Sequence, residues 1–299
     1  MYDVIIIGAG PAGLTSAIYA KRSNKSVLVL EANTYGGQIV TTDKIDNYPA
    51  TPHISGFDFA TNLYNQVIEL GADVKFEKAI EIIDGKEKKV VTEKNTYEGK
   101  SIIVAIGVRN RNLNIPGEKE FEGNGVSYCA TCDGMFYKNK TVAVIGAGNT
   151  AFQEALYLSD ICKKVYIIHR NEKFKASLSL SRKVKAKDNI EFILNTNVIS
   201  INGDKKVNNI DIKDNKENIS NLKVDGVFIA IGQIPENGNL TKDLLLDKNG
   251  YIKSDKNLKT NIDGIYVAGD IRPKNLRQLV TATSDGAIAA VNAVKSIKK

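Results

Sequence analysis

The chain has no tryptophan, and only two histidines, three cysteines, two methionines and six prolines in 299 residues. Each scarcity excludes something. A zinc site needs about four ligands, usually from paired knuckles, and one CxxC with a distant Cys162, His53 and His169 does not supply them. No apolar run reaches the roughly 20 residues of a membrane span, so no membrane insertion is expected. The net charge of +7 is spread widely, and clusters such as Lys86-Glu87-Lys88-Lys89 contain acids and read as solvated turns. Without interleaved aromatic and basic residues there is no nucleic-acid face. The N-terminal Met1 to Gly8 lacks the basic segment and cleavage site of a signal peptide, and its apolar run is strand-sized. A cytoplasmic protein is therefore expected, and there a CxxC is more often catalytic or metal-binding than a structural staple.

What the chain does contain is one phrase written twice. Asp3-Val-Ile-Ile-Ile-Gly8-Ala-Gly10-Pro-Ala-Gly13 recurs as Thr141-Val-Ala-Val-Ile-Gly146-Ala-Gly148-Asn-Thr-Ala151. Each is an apolar strand, a glycine turn and a helical stretch. Each leads to a second strand, Ser26 to Glu31 in the first and Lys164 to Arg170 in the second. Two such βαβ openings predict two dinucleotide folds. A further echo pairs Ile102-Ile-Val-Ala-Ile-Gly107 with Val227-Phe-Ile-Ala-Ile-Gly232, two buried-strand patterns where the chain can leave one domain for the other. The last stretch, about sixty residues, is short for an autonomous core and is expected to return to the first domain. The expectation is an α/β protein with two Rossmann-like domains, the second inserted into the first: residues 1–113 with 239–299, and residues 114–238.

In the first loop, Gly8 permits the tight turn, Gly10 lets backbone approach a pyrophosphate and Gly13 lets helix pack on strand. Pro11 and Ala12 open the helix, whose N-terminal N–H groups suit phosphates. Glu31 ends the second strand, where a carboxylate can accept hydrogen bonds from ribose hydroxyls. These features alone fit NAD or FAD. Asp270, after Gly269, favours FAD, because a late glycine-acid pair can hold the ribityl and phosphate portion of an extended flavin nucleotide. Gly37 and Gln38 would let backbone pass close to such a ligand, Gly107 ends a neighbouring strand, and Asn47 and Tyr48 are candidates near the ring.

The second loop, Gly146, Gly148 and Ala151, is a weaker match and includes Asn149 and Thr150. Glu31 lies 23 residues after Gly8, and the residue 23 after Gly146 is His169, followed by Arg170. A cationic pair in the ribose-reading position suits the 2′-phosphate of NADPH over NADH.

Cys129-Ala-Thr-Cys132 precedes this second phrase. Reversible disulfide chemistry needs thiolates of lowered pKa, and Asp133, beside the second cysteine, is placed to move the accompanying proton. Cys162, in a stretch expected to be helical with Leu156, Leu158 and Ile161, reads as a buried small hydrophobe.

Together, the GxGxxG loop, Gly36-Gly37-Gln38, the Cys129–Asp133 run, the second glycine loop and the end motif Gly269-Asp270-Ile-Arg-Pro-Lys-Asn-Leu-Arg277-Gln278 resemble the low-molecular-weight thioredoxin reductases over essentially the whole chain. The resemblance implies a three-layer ββα architecture in each domain, a homodimer, FAD in the first domain, NADPH in the second and thioredoxin as substrate. It implies that Cys132 faces the flavin, that Cys129 attacks the disulfide of thioredoxin and that Asp133 is the acid/base. It also places Arg277 and Gln278 at the flavin and has the small domain rotate, so that the flavin meets nicotinamide and disulfide in turn.

The departures concentrate at the nicotinamide end. The family reads His-Arg-Arg, three residues, then Arg; this chain has His169-Arg170-Asn171, three residues, then Lys175. Asn171 removes one cation, and Lys175 replaces a planar fork by a point charge. Gln153-Glu154 stands where two glutamates are common. Weakened NADPH preference is expected, with NADH or reduced ferredoxin as the alternative donor. A flavin-containing redox sensor without turnover is the reading from another class.

Overall fold

The computed structural model describes residues 1–42, 44–235 and 237–297. It opens with β1 (Tyr2–Ile7), α1 (Pro11–Arg22) and β2 (Val27–Glu31), followed by α2 (Gly56–Glu69), β3 (Asp73–Phe76), β4 (Ala79–Ile83), β5 (Lys88–Thr92), β6 (Thr96–Val104) and β7 (Val108–Asn110). Next come β8 (Val126–Ser127), α3 (Ala130–Asp133), β9 (Thr141–Ile145), α4 (Asn149–Ser159), β10 (Lys164–His169), α5 (Leu178–Lys185) and β11 (Ile190–Leu194). Three antiparallel strands, β12 (Thr196–Gly203), β13 (Val207–Asp214) and β14 (Ile219–Lys223), lead to β15 (Gly226–Ile229). The chain ends with β16 (Gln233–Pro235), β17 (Ile265–Val267) and α6 (Leu279–Ile297). These elements form two compact units, Met1–Arg109 with Ile234–Lys299, and Asn110–Gln233. The two crossings between them, β7 and β16, pair as a two-stranded sheet.

In the first unit β1 lies centrally between β2 and β6, parallel to both. A strand buried on both faces must be apolar throughout: Val4 and Ile6 enter the core beneath α1 and α6, and Ile5 and Ile7 enter the core on the opposite face. β6 serves three partners along its length. Its first half pairs antiparallel with β5, and its second half pairs parallel with β1 and β17. Small residues bring α1 and α6 together: a Cβ on Gly286 would stand 2.2 Å from the Ala12 carbonyl oxygen, and the Ser16 hydroxyl donates to the Gly286 carbonyl at 3.0 Å.

The second unit repeats the plan. Its sheet runs β11-β10-β9-β15-β8, and every pairing in it is parallel. Val142 and Val144 of β9 pack under α4, while Ala143 and Ile145 face a core shared with β12 and β13. The helix α4 stops at Ser159, so Cys162 lies in the turn beyond it and not within a helical run as expected; it is buried, and its thiol is pushed up to about 11 by that burial. No helix among the described residues is long and apolar enough to cross a membrane.

Candidate functional site

In the first unit, four loops converge at the carboxyl ends of the parallel strands. Gly8 has φ +105°, and a Cβ there would stand 2.4 Å from the Ala105 carbonyl oxygen. A Cβ on Gly13 would stand 1.8 Å from the carbonyl oxygen of Gly8, so this helix turn lies directly on the loop. Gly10, by contrast, has open space around its missing side chain, the nearest atom being Gly37 Cα at 4.0 Å. Gly10 is the N-cap of α1, with Pro11 next, no side-chain cap and no acid in the first turn, so the helix N–H groups stand uncompensated. Glu31 is fixed beside this loop: its carboxylate accepts from Ala9 N–H at 2.8 Å and from Asn33 N–H at 2.9 Å. Gly36 N–H donates to the Ala9 carbonyl at 2.8 Å, the Gln38 side chain donates to the Val108 carbonyl, and Gly107, at φ +68°, has nothing within 4 Å of a built Cβ.

The end motif joins the same place. A Cβ on Gly269 would stand 2.9 Å from the Ala12 Cβ. Burial raises the Asp270 carboxyl above its usual range, against the opposing pull of Lys274 and Arg277, and its Oδ1 is sealed from solvent with only a long ion pair to Lys274 Nζ, at 3.4 Å. So long a contact leaves this buried oxygen's hydrogen-bonding capacity unfilled, at a cost on the order of 1–3 kcal/mol. A sugar hydroxyl supplies a donor, so the residues present fit a flavin nucleotide's polyol. Arg277 braces this loop, with its guanidinium 4.3 Å over the Tyr251 ring and Nε donating to the Asp270 carbonyl at 3.4 Å. The Asn47 amide donates to Gln278 Oε1 at 3.0 Å, and Gln278 caps α6 by accepting from Ala282 N–H at 2.9 Å.

Sequence reasoning missed the support beneath this loop. Asp285 accepts from Gly269 N–H at 3.1 Å and from Arg272 through both oxygens, and Lys274 Nζ lies 2.9 Å from Asp285 and 3.4 Å from Asp270. A signal existed: Asp285 is an acid on the buried face of an otherwise alanine-rich helix.

The second loop uses the same backbone solution. Gly146 has φ +135°, and its Cβ would meet the Ala230 carbonyl oxygen at 2.4 Å, while Gly148 has nothing within 4 Å and caps α4 with no side-chain cap. Asn149 Oδ1 accepts from Ser177 N–H at 2.8 Å, Thr150 is exposed in the first turn, and Lys175 N–H donates to the Ala147 carbonyl at 3.0 Å. His169 ends β10 with its Nε2 buried and unpartnered; burial, then Arg170, with a smaller push from Lys175, holds its imidazole below the usual value. Arg170, Asn171 and Lys175 are exposed. Open glycine backbone, a free helix N-terminus and clustered cations fit a dinucleotide carrying an extra phosphate.

The third group is the disulfide. Cys129 and Cys132 are bonded, with Cα atoms 5.3 Å apart, across the start of α3. Cys132 N–H and Asp133 N–H both donate to the Cys129 carbonyl, at 3.2 and 3.1 Å. The Ser127 hydroxyl, which the sequence did not single out, donates to Asp133 Oδ2 at 2.6 Å and accepts from Cys129 N–H at 3.1 Å. It thus ties the carboxyl to the first cysteine.

Two dinucleotide loops, one carrying an anion and the other cations at its ribose position, with a CxxC disulfide in the second unit, define a nucleotide-dependent disulfide oxidoreductase. Comparisons agree. The pyridine nucleotide-disulphide oxidoreductase family matches residues 2–286. A thioredoxin reductase from Listeria innocua is 42% identical over 308 residues, covering 100% of this chain and 95% of that protein. The structure of thioredoxin reductase from Streptococcus pyogenes has a TM-score of 0.95 at 39% identity, covering 100% of this chain and 98% of that one. A ferredoxin-flavin thioredoxin reductase from Clostridium acetobutylicum is 32% identical with a TM-score of 0.54, over 99% of this chain and 98% of that one. The chain belongs to the pyridine nucleotide-disulphide oxidoreductases and, within them, to the low-molecular-weight thioredoxin reductases.

Proposed function

We propose that this chain is a thioredoxin-disulfide reductase with NADPH as reductant and FAD as prosthetic group, whose Cys129–Cys132 disulfide opens to a dithiol and closes again on thioredoxin. The observation that carries it is the bonded Cys129–Cys132 pair in the same unit as a cation-bearing glycine loop. Bound FAD supplies a two-electron relay between a nicotinamide and a disulfide. In the first unit Gly8, Gly10, Gly13 and Glu31 would hold its adenosine diphosphate part, with Gly37, Gln38 and Gly107 alongside. Asp270 would hold its polyol, and Asn47, Arg277 and Gln278 would stand toward its ring. In the second, Gly148, Asn149 and Thr150 would receive the NADPH pyrophosphate, and His169, Arg170 and Lys175 its 2′-phosphate.

The thiol step belongs to the chain itself. Cys129 as thiolate attacks one sulfur of the thioredoxin disulfide, which breaks and leaves a thiolate. Cys132 then displaces the mixed disulfide, re-forming Cys129–Cys132 and releasing thioredoxin as a dithiol. Asp133, oriented by Ser127, moves the proton. In the assembly we place a homodimer in the cytoplasm.

One observation favours a second reading for the donor. Asn171 removes a cation at the proposed 2′-phosphate position, and one solved relative is a ferredoxin-flavin thioredoxin reductase. Stopped-flow reduction of the bound flavin by NADPH, NADH and reduced ferredoxin separates the readings. Rapid, saturable reduction by micromolar NADPH is expected, and reduction by ferredoxin alone would transfer the role. Cys129→Ser should abolish thioredoxin turnover; unchanged turnover would sink the interchange role and leave a redox sensor.

A further inference from the structure

We infer that Lys274 is a positioning residue for the flavin: placed between Asp285 and Asp270, it supplies the buried counter-charge that keeps the Asp270 carboxylate ionised and in place to accept from the FAD polyol. The inference rests on the proposed FAD site of the first unit.

A lysine is almost never fully buried unless it is paired. The Lys274 side chain is only 7% exposed, as is that of Asp285 beside it. Asp270, Arg272, Lys274 and Asp285 meet here, two acids and two bases, and their contacts divide the work. Arg272 already matches Asp285: its Nε and Nη2 donate to the two carboxylate oxygens at 3.0 and 3.2 Å. Asp285 also accepts from Gly269 N–H at 3.1 Å, so its charge is met without the lysine. Asp270 has no such fork. Lys274 Nζ, anchored 2.9 Å from Asp285 Oδ2, is the cation that reaches its carboxylate, at 3.4 Å. Arg277 stands close as well, but it donates to the backbone carbonyls of Asp270 and Lys274, at 3.4 Å each, and so braces the turn.

Burial pushes the Asp270 carboxyl toward its neutral form, and Lys274 is the first of the pulls that oppose this, ahead of Arg277, while Asp285 adds to the push. A buried acid deprived of its counter-ion neutralises rather than keep its charge. Neutralised, it loses an acceptor site to its own proton, and its remaining hydrogen bonds lose the help of the charge. At 3.4 Å the ammonium supplies charge and still leaves Oδ1 free to accept from a hydroxyl. Acid and counter-ion are four residues apart on one turn, so the same short segment carries both.

The test uses flavin-loaded protein and reads affinity, not turnover. Wild type, K274M, K274Q, D270N and the double variants K274M/D270N and K274Q/D270N are dialysed to equilibrium, and released FAD is measured by its fluorescence. Circular dichroism checks the fold. K274M removes the charge at similar length, and K274Q keeps a donor for Asp285, so either variant that folds decides. Each should raise the FAD Kd about tenfold or more, the effect of one charge-assisted hydrogen bond. In the D270N background each should change it by less than about threefold, because no carboxylate remains to be kept ionised. A lysine that only supports the fold through Asp285 would weaken binding by the same factor in both backgrounds. That result, or single variants that hold FAD as tightly as wild type, overturns the inference. Wild type that takes up no FAD would instead overturn the functional reading.

Discussion

The two glycine loops share a turn and differ in almost everything around it. Gly8 and Gly146 both take positive φ, and at each an added Cβ would meet the carbonyl of a neighbouring strand's end at 2.4 Å. That part is steric, and only glycine satisfies it. The third position is not shared. At Gly13 a Cβ would stand 1.8 Å from Gly8 O, whereas in the second loop Ala151 is accommodated and fully buried. The far end of each unit diverges further. Glu31 is locked by two backbone N–H groups, while His169 has a buried, unpartnered nitrogen beside exposed cations. One backbone motif thus stands beside opposite charge in the two units, and in the proposed function it is the strand end, not the loop, that would select between nucleotides.

The largest expected effect breaks the comparison at its steric root. Gly13→Ala should cost about 3 kcal/mol, the upper range for overpacking, and strip FAD from the protein. Gly148→Ala, with nothing within 4 Å, should fold as wild type and raise the KM for NADPH alone. Thermal unfolding and flavin absorbance of the two variants check this. Next is the charge at the second strand end. Arg170→Ala should raise the KM for NADPH about ten- to a hundredfold, the effect of one charge-assisted hydrogen bond, and leave that for NADH nearly unchanged. Asn171→Arg should sharpen NADPH preference by a smaller factor; steady-state kinetics with both nucleotides measure each.

The smaller effects are in pH. Glu154 keeps its proton in the folded state up to about 8, whereas the unfolded chain releases it near 4.5. Its contribution to stability is therefore full below about pH 4.5 and is lost as pH rises through 8. E154Q should gain on wild type over that window, by a few kcal/mol at most, in denaturant titrations at pH 5, 6.5 and 8. His169 acts in the other direction. Its folded value is depressed, so its stability is present above the ordinary imidazole value of 6.5 and lost as pH falls below it. His169→Gln should flatten that acid limb only slightly.

Much of the site was legible because its chemistry is written in short, local strings. The Cys129–Cys132 pair, both glycine turns and the contrast between Glu31 and His169 are set by residues within one βαβ unit each. Ser127 and Asp285 were not legible, since a serine two residues before a cysteine and an acid in a helix acquire roles only through partners elsewhere. Asp285 lies 16 residues from the Gly269 N–H it accepts from. Glu154 was visible only as half of Gln153-Glu154. Its second carboxyl oxygen is sealed from solvent by packing that no spacing rule reports.

By itself, the sequence determined the two glycine turns, the redox pair and the charge each strand end shows to a nucleotide, because sterics and charge act over a few residues. Tertiary structure alone decided which polar groups are sealed from water. Asp270 Oδ1, His169 Nε2 and Glu154 Oε2 are sealed without a hydrogen bond only because packing from distant segments covers them. Burial turns ordinary side chains into groups that a ligand or a redox centre can use, and burial is a property of the folded chain.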